Sequence, residues 1–111
     1  MLILPFPPAS LFPNSKNGRH WGATVKDKKS YYAACFYLAK SAKPEVSGKI
    51  QLSITFHQPD NRHRDIDNML AAIKAGLDGV SKAWGVDDRN FRPLMLDDGE
   101  VVKGGKIVIR W

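Results

Sequence analysis

Ile50-Gln51-Leu52-Ser53-Ile54-Thr55-Phe56-His57, running on through Arg62-His63 into Arg64-Asp65-Ile66-Asp67-Asn68-Met69-Leu70, contains the change of period that decides the fold. In its first part Ile50, Leu52, Ile54 and Phe56 alternate with Gln51, Ser53, Thr55 and His57, the period-two pattern of a strand with one buried face. In its second part Ile66, Met69, Leu70, Ile73, Leu77 and Val80 recur at the helical period and mark the buried face of a helix reaching about Ala83. Asp67, Lys74 and Asp78 fall on another stripe of that helix, roughly a right angle from the core direction, facing a cleft or solvent. Asp65 would project almost opposite them if it were helical. In an extended chain, however, residues two apart point the same way, so helix entry at about Ile66 or Asp67 lets both carboxylates approach one cation. The plainer reading makes one of them an N-cap acid, which leaves its neighbour unexplained.

Beyond this helix, Gly85-Val86-Asp87-Asp88 would bring a third acid back towards the helix start, although a solvated acidic turn is the competing account. Asp97-Asp98-Gly99-Glu100 reads as a turn before Val101-Val102-Lys103, which Gly104-Gly105 joins to Lys106–Trp111 as a hairpin. On the other side, Leu2–Phe6 reads as a short strand stopped by Pro7-Pro8, and a long loop follows to about Lys26. That loop carries Lys16, Arg19 and Trp21 among turn formers. Such a mix suits phosphate contact and base stacking if exposed, and equally a polar loop whose indole is tucked into the core. From about Asp27 to Ser41, Tyr31, Ala34, Cys35, Leu38 and Ala42 give an apolar stripe. Lys26, Lys28 and Lys29 would stand at that helix's start, where the macrodipole disfavours cations; solvated lysines or a bound phosphate would each account for them.

The 111 residues suit one compact domain, 1–111, in the α+β class: a mixed sheet packed with two main helices. Seventeen Lys and Arg against eleven Asp and Glu leave a net charge of +6, which favours a polyanionic partner such as nucleic acid over a small-molecule cofactor or a neutral metabolite. The single cysteine, Cys35, excludes an internal disulfide, and His20, His57 and His63 lack zinc-like spacing. The opening Met1–Pro8 lacks the features of an export signal and no stretch is long enough to span a membrane, so the expected compartment is the cytoplasm and no membrane partner is expected.

Three carboxylates and a lysine around one helix are what a divalent-metal phosphodiester hydrolase needs. Asp65, Asp67 and one acid of the Asp87-Asp88 pair offer oxygen ligands for Mg²⁺, with Mn²⁺ as a substitute, while Arg62, His63 and Arg64 would neutralise a phosphate backbone. Lys74 would hold the phosphate or tune the nucleophile. Arg62, Arg64, Lys16, Arg19, Lys26, Lys28 and Lys29 are the candidates for DNA-backbone contact.

In its ordered combination of Leu4-Pro5-Phe6-Pro7-Pro8, a basic asparagine-containing loop, a Tyr-bearing helix, Arg62, Arg64–Asn68, Lys74, Asp78-Gly79, Asp87-Asp88 and Lys103-Gly104-Gly105, the chain resembles the RusA family of Holliday-junction resolvases, small phage and prophage endodeoxyribonucleases. The resemblance implies an α+β fold with a mixed sheet, a homodimer presenting two active sites to a four-way DNA junction, and Mg²⁺-dependent paired incision in recombination and repair. It also implies that Asp65, Asp67 and Asp88 are the catalytic acids. The family's lysine stands four residues after the second motif aspartate, where this chain has Ala71; Lys74 follows one turn later on nearly the same face. A non-catalytic DNA-binding accessory protein on the same fold, and a metal-dependent nuclease for flap DNA or RNA, are the alternatives.

Overall fold

The computed structural model describes residues 1–13, 21–45 and 48–111. Their elements in chain order are strand β1 (Leu2–Pro5), helix α1 (Trp21–Ala39), strand β2 (Ile50–His57), helices α2 (Ile66–Ala72) and α3 (Lys74–Trp84), and strands β3 (Phe91–Asp98) and β4 (Lys106–Arg110). Short 3-10 turns occupy Ala9–Leu11 and Asp88–Asn90. The four strands form one mixed sheet in the order β1-β4-β2-β3. β4 runs antiparallel to both β1 and β2, whereas β2 and β3 are parallel, joined by the crossover through α2 and α3. The α+β class and the mixed sheet are those expected.

The alternation in β2 does what its period dictates. Ile50, Leu52, Ile54 and Phe56 are buried, and they meet Leu2 and Leu4 of β1 and Ile107 and Ile109 of β4 in one apolar layer. Met69, Ile73, Leu77 and Val80 from α2 and α3 and Tyr31, Cys35 and Ala39 from α1 close over it. Burying these side chains is the main source of stability. The Tyr31 hydroxyl donates to the Pro5 carbonyl at 2.7 Å, tying α1 to the end of β1. At the far end the Trp84 indole N–H reaches the carbonyls of Ala39, the last residue of α1, and of Ala42 just beyond it at 3.1 and 3.0 Å, tying the end of α3 to the end of α1.

Four expectations need correction. The helix after β2 is two helices, because Ile73 at φ −91°, ψ 3° leaves the helical region. It is a kink, since Ile73 N–H still donates to Met69 O and Leu77 N–H to Ile73 O. α3 is then the segment that packs along α1, with Gly76 against the Tyr31 ring and Cys35 Sγ and Gly79 against the α1 backbone at Tyr32 and Phe36.

α1 starts at Trp21, so Lys26, Lys28 and Lys29 lie in its second and third turns, beyond the reach of the terminal dipole. Its buried stripe is Tyr31, Cys35 and Ala39; Leu38 and Ala34 are exposed, a phase shift along the helix.

Phe91–Asp98 forms an unforeseen strand. It is an edge strand with little buried surface, which removes the alternation signal, and a bulge between its pairings Ile50–Phe91 and Leu52–Leu94 accommodates Pro93.

Val101–Lys103 is no strand. The segment 99–105 instead wraps the end of β2, Gly99 N–H donating to Phe56 O and Val102 N–H to Gln58 O, both at 3.0 Å. This carries the chain from β3 on one side of β2 to β4 on the other, and Gly104 and Gly105 make the last turn with φ of +81° and +71°. Among the described residues no helix is long and apolar enough to cross a membrane. Lys16, Arg19 and the placement of the Trp21 side chain lie outside what is described.

Candidate active site

β2 ends at His57 and hands the chain to a loop organised by one carboxylate that sequence reasoning missed. Asp60 accepts from the Arg62 backbone N–H at 3.0 Å, from Arg62 Nη2 at 3.3 Å and from Arg64 Nη1 at 2.8 Å. Arg64 first, and Arg62 with it, hold the Asp60 carboxyl far below the usual carboxylate range. Arg64 also donates to Gln58 Oε1 at 3.0 Å, and its guanidinium lies 5.5 Å from the centre of the Phe6 ring. Its side chain is 16% exposed against 79% for Arg62, so of the two expected phosphate contacts one is pinned into the fold and the other stands in solvent. The i,i+4 spacing of Asp60 and Arg64 was the legible signal, but outside a helix it carries no weight alone.

Helix entry falls at Ile66. Asp65 occupies the N-cap position with extended backbone, φ −70° and ψ 140°, but its carboxylate caps nothing and instead meets His63 Nε2 at 2.8 Å. One residue further, Asp67 sits in the first turn of α2. The two aspartates border different cavities. Asp65 borders one of about 520 Å³ together with Phe6, Phe12 and Asn68. Asp67 borders another of about 450 Å³ together with Lys74 and Asp88.

That second cavity gathers groups from three elements. Asp67 comes from α2, Lys74 opens α3, and Asp88 begins the turn that follows it, with Leu70, Leu77 and Phe91 forming apolar wall. Lys74 Nζ donates to Asp78 Oδ1 at 2.7 Å and to Asp88 Oδ2 at 2.5 Å. The hydrogen bonds from Asp78 and then Asp88 raise the Lys74 pKa, so the ammonium is held charged. The stripe of Lys74 and Asp78 read from helical geometry is therefore an ion pair, and the acid pair after α3 does return towards the helix. Asp87 and Asp88 have separate tasks: Asp87 caps the 3-10 turn by accepting from Arg89 N–H at 3.0 Å and pairs with the Arg89 side chain, which lowers its pKa, while Asp88 faces the cavity.

Hard carboxylate oxygens are the right donors for Mg²⁺ or Mn²⁺, and Asp67 and Asp88 present two such groups to one space. Among the described residues no three His, Cys, Asp or Glu side chains come together as a metal-holding group; Asp65 points to the other cavity. Of the lysines expected at DNA, Lys26, Lys28 and Lys29 are exposed on α1, and the last two border a shallow hollow with Tyr32 and Asp78.

The geometry defines a small α+β protein with an acidic, lysine-bearing cleft at the junction of two helices. No protein-family model matches the chain. It is 35% identical over 113 aligned positions, 97% of this chain and 72% of the other, to an uncharacterized protein of Xylella fastidiosa, and it belongs to that protein's family. It is distantly similar, 24% identical over 110 positions covering 97% of this chain and 89% of the other, to the crossover junction endodeoxyribonuclease rusA of Enterobacteria phage HK97.

Proposed function

We propose that this chain is a Mg²⁺-dependent, structure-selective endodeoxyribonuclease that acts as a homodimer on four-way DNA junctions in the cytoplasm. The observation that carries the reading is the convergence of Asp67, Lys74 and Asp88 on one cavity, the two acids at the positions where the chain resembles RusA and Lys74 one turn beyond that family's lysine. The distant similarity to a crossover junction endodeoxyribonuclease and the net charge of +6 support it.

Asp67 and Asp88 would hold the ion, which when bound would polarise the scissile phosphate and activate a water, and the resemblance alone assigns Asp65 to the same ion. Lys74 holds Asp88 and Asp78 in place and offers its ammonium to a non-bridging phosphate oxygen. Arg62, exposed and paired only at the surface with Asp60, contacts the backbone of the branched substrate, as do Lys26, Lys28 and Lys29 on α1; Lys16 and Arg19 are proposed for the same role.

Cleavage of four-way, flap and duplex DNA and of single-stranded RNA in Mg²⁺, with Asp67→Asn and Asp88→Asn alongside, tests the reading. Junction cleavage lost in both variants is the expected result. The separation of Asp65 from the other two acids favours a second reading, a DNA-binding accessory protein without catalysis. Junction binding without cleavage under any divalent ion would establish that alternative, and preferential cleavage of flaps or RNA would change the substrate.

A further inference from the structure

The 520 Å³ cavity beside Asp65 has no part in the acidic cleft, and its chemistry is different. Its floor is aromatic: the Phe6 and Phe12 rings stand 6.0 Å apart, tilted by 31°. Phe6 is fixed from behind, because Gly105 approaches so closely that a Cβ there would lie 2.8 Å from Phe6 Cβ. Arg64, held by Gln58 and Asp60, closes one side with its flat guanidinium over Phe6. Asn68, half-buried, brings an amide that both donates and accepts, and Arg62 extends from the rim into solvent.

We propose that this cavity receives one unstacked nucleobase of the DNA, next to the phosphate that the acidic cleft cuts; the proposal rests on the nuclease reading above. A phosphate is a poor occupant, since Asp60 and Asp65 line the wall and Arg64 is already paired. A base suits each part: its flat faces match the aromatic floor and the guanidinium, its polar edge matches Asn68, and its own phosphate lies within the range of Arg62 at the rim. The volume falls in the ordinary range of ligand pockets, roughly 300–1,000 Å³. At a branch point a base is least costly to unstack, so occupation of the cavity favours junctions over continuous duplex.

The test is a junction series in which single nucleotides around the exchange point are replaced, one at a time, by abasic residues that keep the phosphate. Binding is measured in Ca²⁺ for the wild type and for Phe12→Ala and Asn68→Ala. One abasic position should weaken wild-type binding about tenfold. Phe12→Ala should weaken binding of the intact junction to a similar degree, lose nothing further with the abasic residue, and keep the salt dependence of the wild type. If circular dichroism finds Phe12→Ala unfolded, Asn68→Ala carries the same comparison. A flat abasic scan, or losses that simply add, overturns the proposal while a junction-cutting wild type leaves the nuclease reading standing. A wild type that neither binds nor cuts junctions overturns both.

Discussion

Lys74 Nζ reaches the Asp88 carboxylate across fourteen residues of sequence, and through it the start of α3 is bonded to the turn that follows the end of the same helix. The pair lies at the surface, with the side chains 59% and 37% exposed, so solvent screens it. Its contribution is to position a charge. Lys74→Ala should therefore lower unfolding stability by no more than about 1 kcal/mol in urea titration. Single-turnover junction cleavage should fall by about a hundredfold or more. Cleavage within about threefold of wild type would make Lys74 a surface strut.

Arg62 and Arg64 should separate binding from stability. Removing the solvent-facing Arg62 by Arg62→Ala should leave the melting temperature unchanged and shallow the slope of log affinity against log salt by about 0.9. Arg64→Ala breaks charged hydrogen bonds to Asp60 and Gln58 and should cost about 1–2 kcal/mol of stability. Equal salt slopes and equal stabilities for the two variants would contradict the assignment.

Gly79 sits where α3 meets the α1 backbone, and an added Cβ would strike the Tyr32 carbonyl oxygen and lie 3.1 Å from Phe36 N. Backbone atoms in a packed helix have little room to yield. Gly79→Ala should therefore destabilise the protein by about 1–3 kcal/mol despite the better helix propensity of alanine, as read from chemical denaturation. A variant as stable as wild type would show that the two helices part readily.

Burial pushes the Cys35 thiol from its ordinary 9.0 up to about 12, and it raises Tyr31 as well. A raised folded-state pKa means that the stability it contributes is complete below about pH 9 and is lost as pH climbs from there towards 12. Urea midpoints measured at about pH 8 and pH 10 should fall for the wild type and fall less for Cys35→Ala, whose lower starting stability at pH 8 reflects the lost sulfur contacts. Parallel declines in the two proteins would assign the alkaline loss to other groups.

The strand at Ile50–His57 and the buried face of Ile66, Met69, Ile73, Leu77 and Val80 were legible because each is half buried, and a half-buried element writes its period into its sequence. β3 was not, because an edge strand with its side chains mostly exposed has no such period and Pro93 argues against it. α1 was placed late and out of phase for a related reason: Ala34 and Leu38 are apolar but exposed, and apolar residues at the surface are common enough to mislead.

By itself the sequence determined the α+β class through the order of its strand and helix periods, and helix entry at about Ile66 or Asp67 and the stripe shared by Lys74 and Asp78 through backbone geometry within a few residues. Tertiary structure alone decided that Asp65 and Asp67 border different cavities, that Asp87 caps a turn while Asp88 turns inward, and that Arg64 is locked to Asp60. Local spacing fixes the direction in which a side chain leaves its own backbone. Which cavity it enters depends on walls supplied from elsewhere, here Phe6 and Phe12 on one side of α2 and α3 with the Asp88 turn on the other.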